Sequence, residues 1–153
     1  MKIFIAIGNT HMSGYLNIDP LGGENKTSTD FRNLDAVCDT AECTEICAPE
    51  ILDYIHISEV MDVIKNWVSK LRHGGTIIIG GFDGYEIASG LVSGQLNTIE
   101  FNNIMYGTRP IHPIVKCGMF TRHDIESILR ELGLKIIHKR VESRKFIVEA
   151  QRG

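Results

Sequence analysis

The sequence predicts an α/β fold: a mostly parallel sheet that closes on a C-terminal antiparallel hairpin and lacks its first crossover helix. Three observations carry this. Residues 2–7, apolar at every position after Lys2, and residues 76–79 are runs without alternation, so both faces want cover, as in the middle of a parallel sheet. Helical patterns over 57–71 and 121–132 separate the strand-like runs. Only six residues, 9–14, lie between Gly8 and Tyr15, whereas a helical crossover between parallel strands takes about ten to twelve.

Composition narrows the function classes. The chain has 153 residues, which suits one domain over 1–153 with a sizeable core. A formal charge of -3 argues against a general nucleic-acid surface, which is normally basic. No apolar run approaches the roughly 18 residues that span a bilayer. The amino terminus opens on a strand-like run with no basic region or cleavage site, so the chain is expected to be cytoplasmic. Cys38, Cys43, Cys47 and Cys117 form no CxxC pair and no zinc-ligand spacing. Buried, reduced thiols and no metal site are expected.

In chain order, the first strand (2–7) stops at Gly8, and a second (15–18) ends at Asp19. Residues 21–33, with Gly22-Gly23 and many polar side chains, read as loop. A third strand is expected over 34–38, ending at Asp39, and a fourth over 45–48. The helix over 57–71 has Ser58 as its cap and Val60, Ile64, Trp67, Val68 and Leu71 on one face, with Gly74-Gly75 ending it. The strand over 76–79 is expected to break at Gly80-Gly81. Residues 85–107 carry Gly90 and Gly94 and should form helical pieces joined by loop. Arg109-Pro110-Ile111-His112-Pro113 should be irregular. The helix over 121–132 has Thr121 as cap with Asp124 three residues on, and Gly133 as its stop. Strands over 135–141 and 145–150 flank a polar turn at 142–144.

A strand, a glycine turn and a strand tipped by a carboxylate are parts of a nucleotide site in an open α/β sheet. Gly8 lets a ligand approach the backbone, and Asp19 and Asp39 end neighbouring strands at the carboxyl edge. Each Asp is equally suited to an ordinary turn. Candidate general bases on loops above that edge are Asp83 and His112, with His11, His56 and His123 behind them; Arg109 could meet an anionic group.

Several motifs then carry a resemblance over nearly the whole chain. They are Gly14-Tyr15-Leu16-Asn17-Ile18-Asp19, Leu52-Asp53-Tyr54, Trp67 and Leu71 followed by Arg72-His73-Gly74-Gly75-Thr76-Ile77-Ile78, and residues 129–134. In this order they resemble the Rossmann-like class I S-adenosylmethionine-dependent methyltransferases, and more narrowly the short bacterial forms associated with cell-surface sugar biosynthesis. The resemblance implies methyl transfer to a small-molecule or sugar-type acceptor. It implies that Gly8 lies against the methionine part of S-adenosylmethionine, that Asp19 accepts from the ribose hydroxyls, and that Asp39 accepts from the adenine amino group. Methyl transfer from a sulfonium depends mainly on in-line positioning, and needs a base only for a weak nucleophile.

The departures from that family define a second reading. Ile5-Ala6-Ile7-Gly8 stands where the family has L-G-C-G, putting side chains where a cofactor would lie on bare backbone. The stretch after Asp39 is clipped, and Asp53-Tyr54 stands for E-H. A methyltransferase-fold scaffold or binding protein that has lost the cofactor site fits these changes. A different nucleotide-binding α/β enzyme ranks last, because no Gly-rich loop opens a helix. The missing first helix would also bare one face of the first strand, so a homo-oligomer through that face is expected.

Overall fold

In the computed structural model, which describes residues 1–8, 10–107 and 114–153, six strands form one sheet. Strands β1 (Lys2–Ile5), β2 (Leu16–Ile18), β3 (Cys43–Ala48) and β4 (Leu71–Phe82) are parallel. Strands β5 (Leu134–Glu142) and β6 (Lys145–Arg152) form the C-terminal hairpin. The order is β2-β1-β3-β4-β6-β5, so β6 lies antiparallel between β4 and its own hairpin partner. Four helices accompany the sheet among the described residues: α1 (Val60–Lys70), α2 (Gly84–Ser93), α3 (Thr98–Tyr106) and α4 (Arg122–Glu131). Between β1 and β2 the described residues hold no helix, as the six-residue spacing requires.

The core lies mainly on one side. Ile3, Ile46, Ile77 and Ala150 sit in register across the sheet and pack with Val60, Ile64, Trp67 and Val68 of α1 and Ile125 and Leu129 of α4. On the other side Phe4, Cys47 and Ile78 are in register, and this smaller cluster contains no helical residue. It is completed by Ala6, Met12 and Tyr15.

Asn17 makes that possible. Its side chain accepts from the Met12 amide at 2.8 Å and donates to the Met12 and Tyr15 carbonyls at 2.9 Å each. Tyr15 reaches across to donate its hydroxyl to Glu45 on β3, and Lys2 sits 5.3 Å from the Tyr15 ring centre. Phe4 is consequently only 2% exposed. The burial that argued for a second copy over β1 is met by the loop within the chain.

Several local expectations are corrected. Residues 34–38 form a turn, not a strand: the Val37 and Cys38 amides both bond the Leu34 carbonyl, at 3.0 and 3.1 Å. Leu34 and Cys38 are both buried from this turn, and apolar residues four apart match helical spacing as well as a short strand. Ser58 does not cap α1; its hydroxyl pairs with His56 Nδ1 at 2.8 Å. The helix stops at Lys70 without glycine, because Leu71 is already extended and begins β4. Gly80 and Gly81 do not break β4 but pair with Ile147 and Phe146. A Cβ on Gly80 would fall 2.6 Å from the Pro49 and Phe146 carbonyls, so this glycine serves close backbone approach inside the sheet.

Among the described residues other local expectations hold, and the irregular stretch expected over 109–113 lies outside them. Residues 85–107 contain the two helical pieces α2 and α3, and α4 carries the Thr121–Asp124 capping box with Gly133 at φ 85° after it. The hairpin turns on Ser143 and Arg144, both at positive φ (52° and 63°), the backbone a two-residue loop between twisted strands needs.

Candidate functional site

The parallel strands deliver Gly8, Asp19 and the turn around residues 50–54 to one edge of the sheet, where ligands bind in open α/β folds. Gly8 and Asp19 meet there. The Gly8 amide, at φ 103°, donates to Asp19 Oδ2 at 3.0 Å, and the Leu21 amide donates to Oδ1 at 2.9 Å. Lys26 supplies the third donor, its Nζ 3.2 Å from Asp19 Oδ2, and also donates to the Gly8 carbonyl. Asp19 is 1% exposed and the Lys26 side chain 9%.

The loop that brings Lys26 back is built by local chemistry. Gly22 and Gly23 take positive φ (75° and 136°), which reverses the chain after Asp19. The Thr27 amide then bonds the Asn17 carbonyl at 2.8 Å and the Asp19 amide bonds the Thr27 carbonyl at 3.1 Å. Lys26 is thereby folded over the Asp19 carboxylate.

Beside this knot, at the ends of β1, β3 and β4, lies a cavity of about 240 Å³ lined in part by Ala6, Ile7, Asp53, Tyr54, Phe82 and Lys116. Lys116 Nζ is 3.3 Å from Asp53 Oδ2, and Lys145 Nζ is 2.9 Å from Glu50 Oε1 at the rim. Both ammonium groups stand over the Phe82 ring, 5.2 and 5.0 Å from its centre, within cation–π range. Burial pushes the Asp53 carboxyl above its ordinary range, against the pull of Lys116. Tyr54 also faces a second hollow of about 520 Å³, whose wall includes Phe31, Arg32, Val115 and Cys117. Cys117 is the one exposed cysteine; Cys38, Cys43 and Cys47 are buried and all four are free.

Asp39 and Asp83 do not join this group. With the 34–38 strand gone, Asp39 precedes β3 at the amino end of the sheet, exposed, its amide bonded to Glu42 Oε2 at 2.8 Å. Asp83 does follow β4, but its oxygens cap α2: Oδ1 accepts from Tyr85 at 2.9 Å and Glu86 at 3.5 Å, and Oδ2 from the Arg122 amide at 3.4 Å. His112 and Arg109 lie outside the described residues. Sequence reasoning missed Lys26, Lys116 and Lys145. Only Lys26 left a signal, the Gly22-Gly23 reversal just upstream. Asp83→Ala is expected to lower stability by about 1 kcal/mol through loss of the cap, while Asp83→Asn keeps most of it. Equal urea midpoints for Asp83→Ala and wild type would remove the capping assignment.

Solved structures share this architecture. The chain is similar to a SAM-dependent methyltransferase from Archaeoglobus fulgidus (TM-score 0.56, 9% identity, 84% of this chain and 67% of the other). It is similar to the 1,6-didemethyltoxoflavin-N1-methyltransferase of Burkholderia thailandensis, solved with 1,6-didemethyltoxoflavin and S-adenosylhomocysteine bound (0.59, 12%, 90% and 60%). It is also similar to a SAM-dependent methyltransferase from Methanosarcina mazei (0.61, 13%, 92% and 69%). The chain thus has the fold of the class I methyltransferases, and it spans 60–69% of the length of the latter two and 67% of the first. No family model and no curated protein matches its sequence.

That fold implies S-adenosylmethionine, and the arrangement at Asp19 tests the fit. A carboxylate that accepts ribose hydroxyls must face the ligand, whereas this one is buried under three donors from its own chain. Ala6 and Ile7 put side chains on the cavity wall. As arranged, these residues do not fit the cofactor. Among the described residues, no group of three His, Cys, Asp or Glu side chains is placed to hold a metal ion, and no helix is long and apolar enough to cross a membrane.

Proposed function

We propose that residues 1–153 act as one methyltransferase-fold domain that binds a small molecule at the carboxyl edge without using S-adenosylmethionine. The observation that carries this is the closed Asp19–Lys26–Gly8 knot. The ligand position is the 240 Å³ cavity beside it, with Tyr54 and Phe82 as apolar walls and Asp53 and Lys116 as the polar pair that orients a guest. The net charge of -3 speaks against nucleic acid as the partner. The three buried, free thiols suit a reducing compartment such as the cytoplasm. A homo-oligomer over the sheet face that carries Phe4, Cys47 and Ile78 would meet Ile78 and Ile147, half-buried beside Glu149, and light scattering at micromolar concentration measures it.

The test is calorimetric titration of the wild-type protein with S-adenosylmethionine and S-adenosylhomocysteine. We expect no heat and no thermal shift at millimolar ligand. Saturable binding at micromolar concentration would overturn the proposal. It would favour instead a methyltransferase acting on a small-molecule or sugar-type acceptor, a reading supported by the meeting of Gly8 and Asp19 at the ligand edge.

A further inference from the structure

We infer that Lys26 is an internal substitute for the missing cofactor: its side chain occupies the two groups, the Gly8 backbone and the Asp19 carboxylate, between which a nucleoside ligand would be held. The inference rests on the functional reading above and names the residue that enforces it.

The argument starts from charge. A carboxylate as buried as Asp19 costs several kcal/mol unless it is hydrogen-bonded and paired with a cation. In an open site that partnership comes partly from water or ligand hydroxyls. Here two backbone amides and one ammonium supply it. One ammonium group meets both Gly8 and Asp19, so the contact spans the position rather than decorating its rim. The loop is committed to this placement: Gly22 and Gly23 reverse the chain, and Thr27 is bonded on both sides to the end of β2. Lys26 therefore has its backbone fixed one residue from the β2 edge, and only its side chain remains to be placed. A ligand with vicinal hydroxyls could reach Asp19 only by displacing that side chain and restoring an equal set of donors.

Removing the side chain should reopen the position. Lys26→Ala vacates it, and Lys26→Ser does the same while letting water satisfy Asp19, which guards against an Ala variant that fails to fold. Lys26→Gln retains a donor of similar reach and should stay closed. Circular dichroism establishes folding, and calorimetry with S-adenosylhomocysteine and with adenosine reads binding. We expect saturable heat for Lys26→Ala or Lys26→Ser at least tenfold below the millimolar concentration at which the wild type gives none, and no heat for Lys26→Gln. Folded Ala and Ser variants that bind no better than a non-binding wild type would overturn the role of Lys26 while leaving the functional reading intact. A wild type that binds as tightly as the variants would overturn both.

Discussion

Asp19→Ala is expected to lower the unfolding free energy by about 3–5 kcal/mol, the cost of removing one partner from a buried ion pair. The substitution strands the Lys26 ammonium, whose side chain is 9% exposed, and takes acceptors from the Gly8 and Leu21 amides. Urea unfolding reads the loss as a shift in midpoint at constant slope. The alternative gives a different number: an Asp held open for ligand is a surface residue, and its replacement changes stability by less than about 0.5 kcal/mol. A double-mutant cycle between Asp19→Ala and Lys26→Ala isolates the pair. A coupling of about 1–3 kcal/mol is expected, and a value near zero would mean the two side chains do not hold each other.

Trp67→Ala should cost a similar amount, about 3–5 kcal/mol, by a different route. Trp67 is 0% exposed in the main cluster, and its indole Nε1 donates to the Phe31 carbonyl at 2.8 Å. Truncation leaves a cavity between α1 and the sheet and an unsatisfied carbonyl at the base of the loop that leads to the 34–38 turn. Trp67→Phe separates these effects, because it fills most of the volume but donates nothing. It is expected to lose about 1–3 kcal/mol. Equal losses for Phe and Ala would show that the hydrogen bond, not the packing, dominates.

How legible the fold was depended on how local its causes are. The capping box of α4 and the apolar face of α1 are written within ten or so residues each, and both appear where the pattern puts them. The missing first helix was a matter of counting residues. What fills its place was not legible, because Asn17 acts on carbonyls whose position depends on the loop closing over Phe4. The Leu34–Cys38 error came from a spacing shared by a turn and a strand, and it carried Asp39 to the wrong end of the sheet. Gly80-Gly81 looked like punctuation because the chain that passes close to them, β6, comes 65 residues later.

The site divides in the same way. Gly8 and Asp19 were visible because a strand delivers each of them to its end. Asp53 and Tyr54 were visible as part of a motif. Lys116 and Lys145 come to Phe82 only through the pairing of β4 with β6 and the return of the segment after residue 113, neither of which leaves a short-range mark. Asp83 illustrates the opposite hazard: a carboxylate just past a strand can be taken up by backbone amides, here at the starts of α2 and α4.

The distribution of thiols has a practical outcome. Burial raises the Cys43 thiol to about 12 and the Cys47 thiol to about 11, so neither yields thiolate near neutrality. Cys38 is sequestered with Cys43, their sulfurs 3.7 Å apart. A maleimide dye therefore finds a single point of attachment at the exposed Cys117, one residue from Lys116 and across Tyr54 from the cavity proposed for a ligand. The native chain comes equipped for site-directed fluorescence, so the guest proposed to enter between Tyr54 and Phe82 can be sought without engineering a residue.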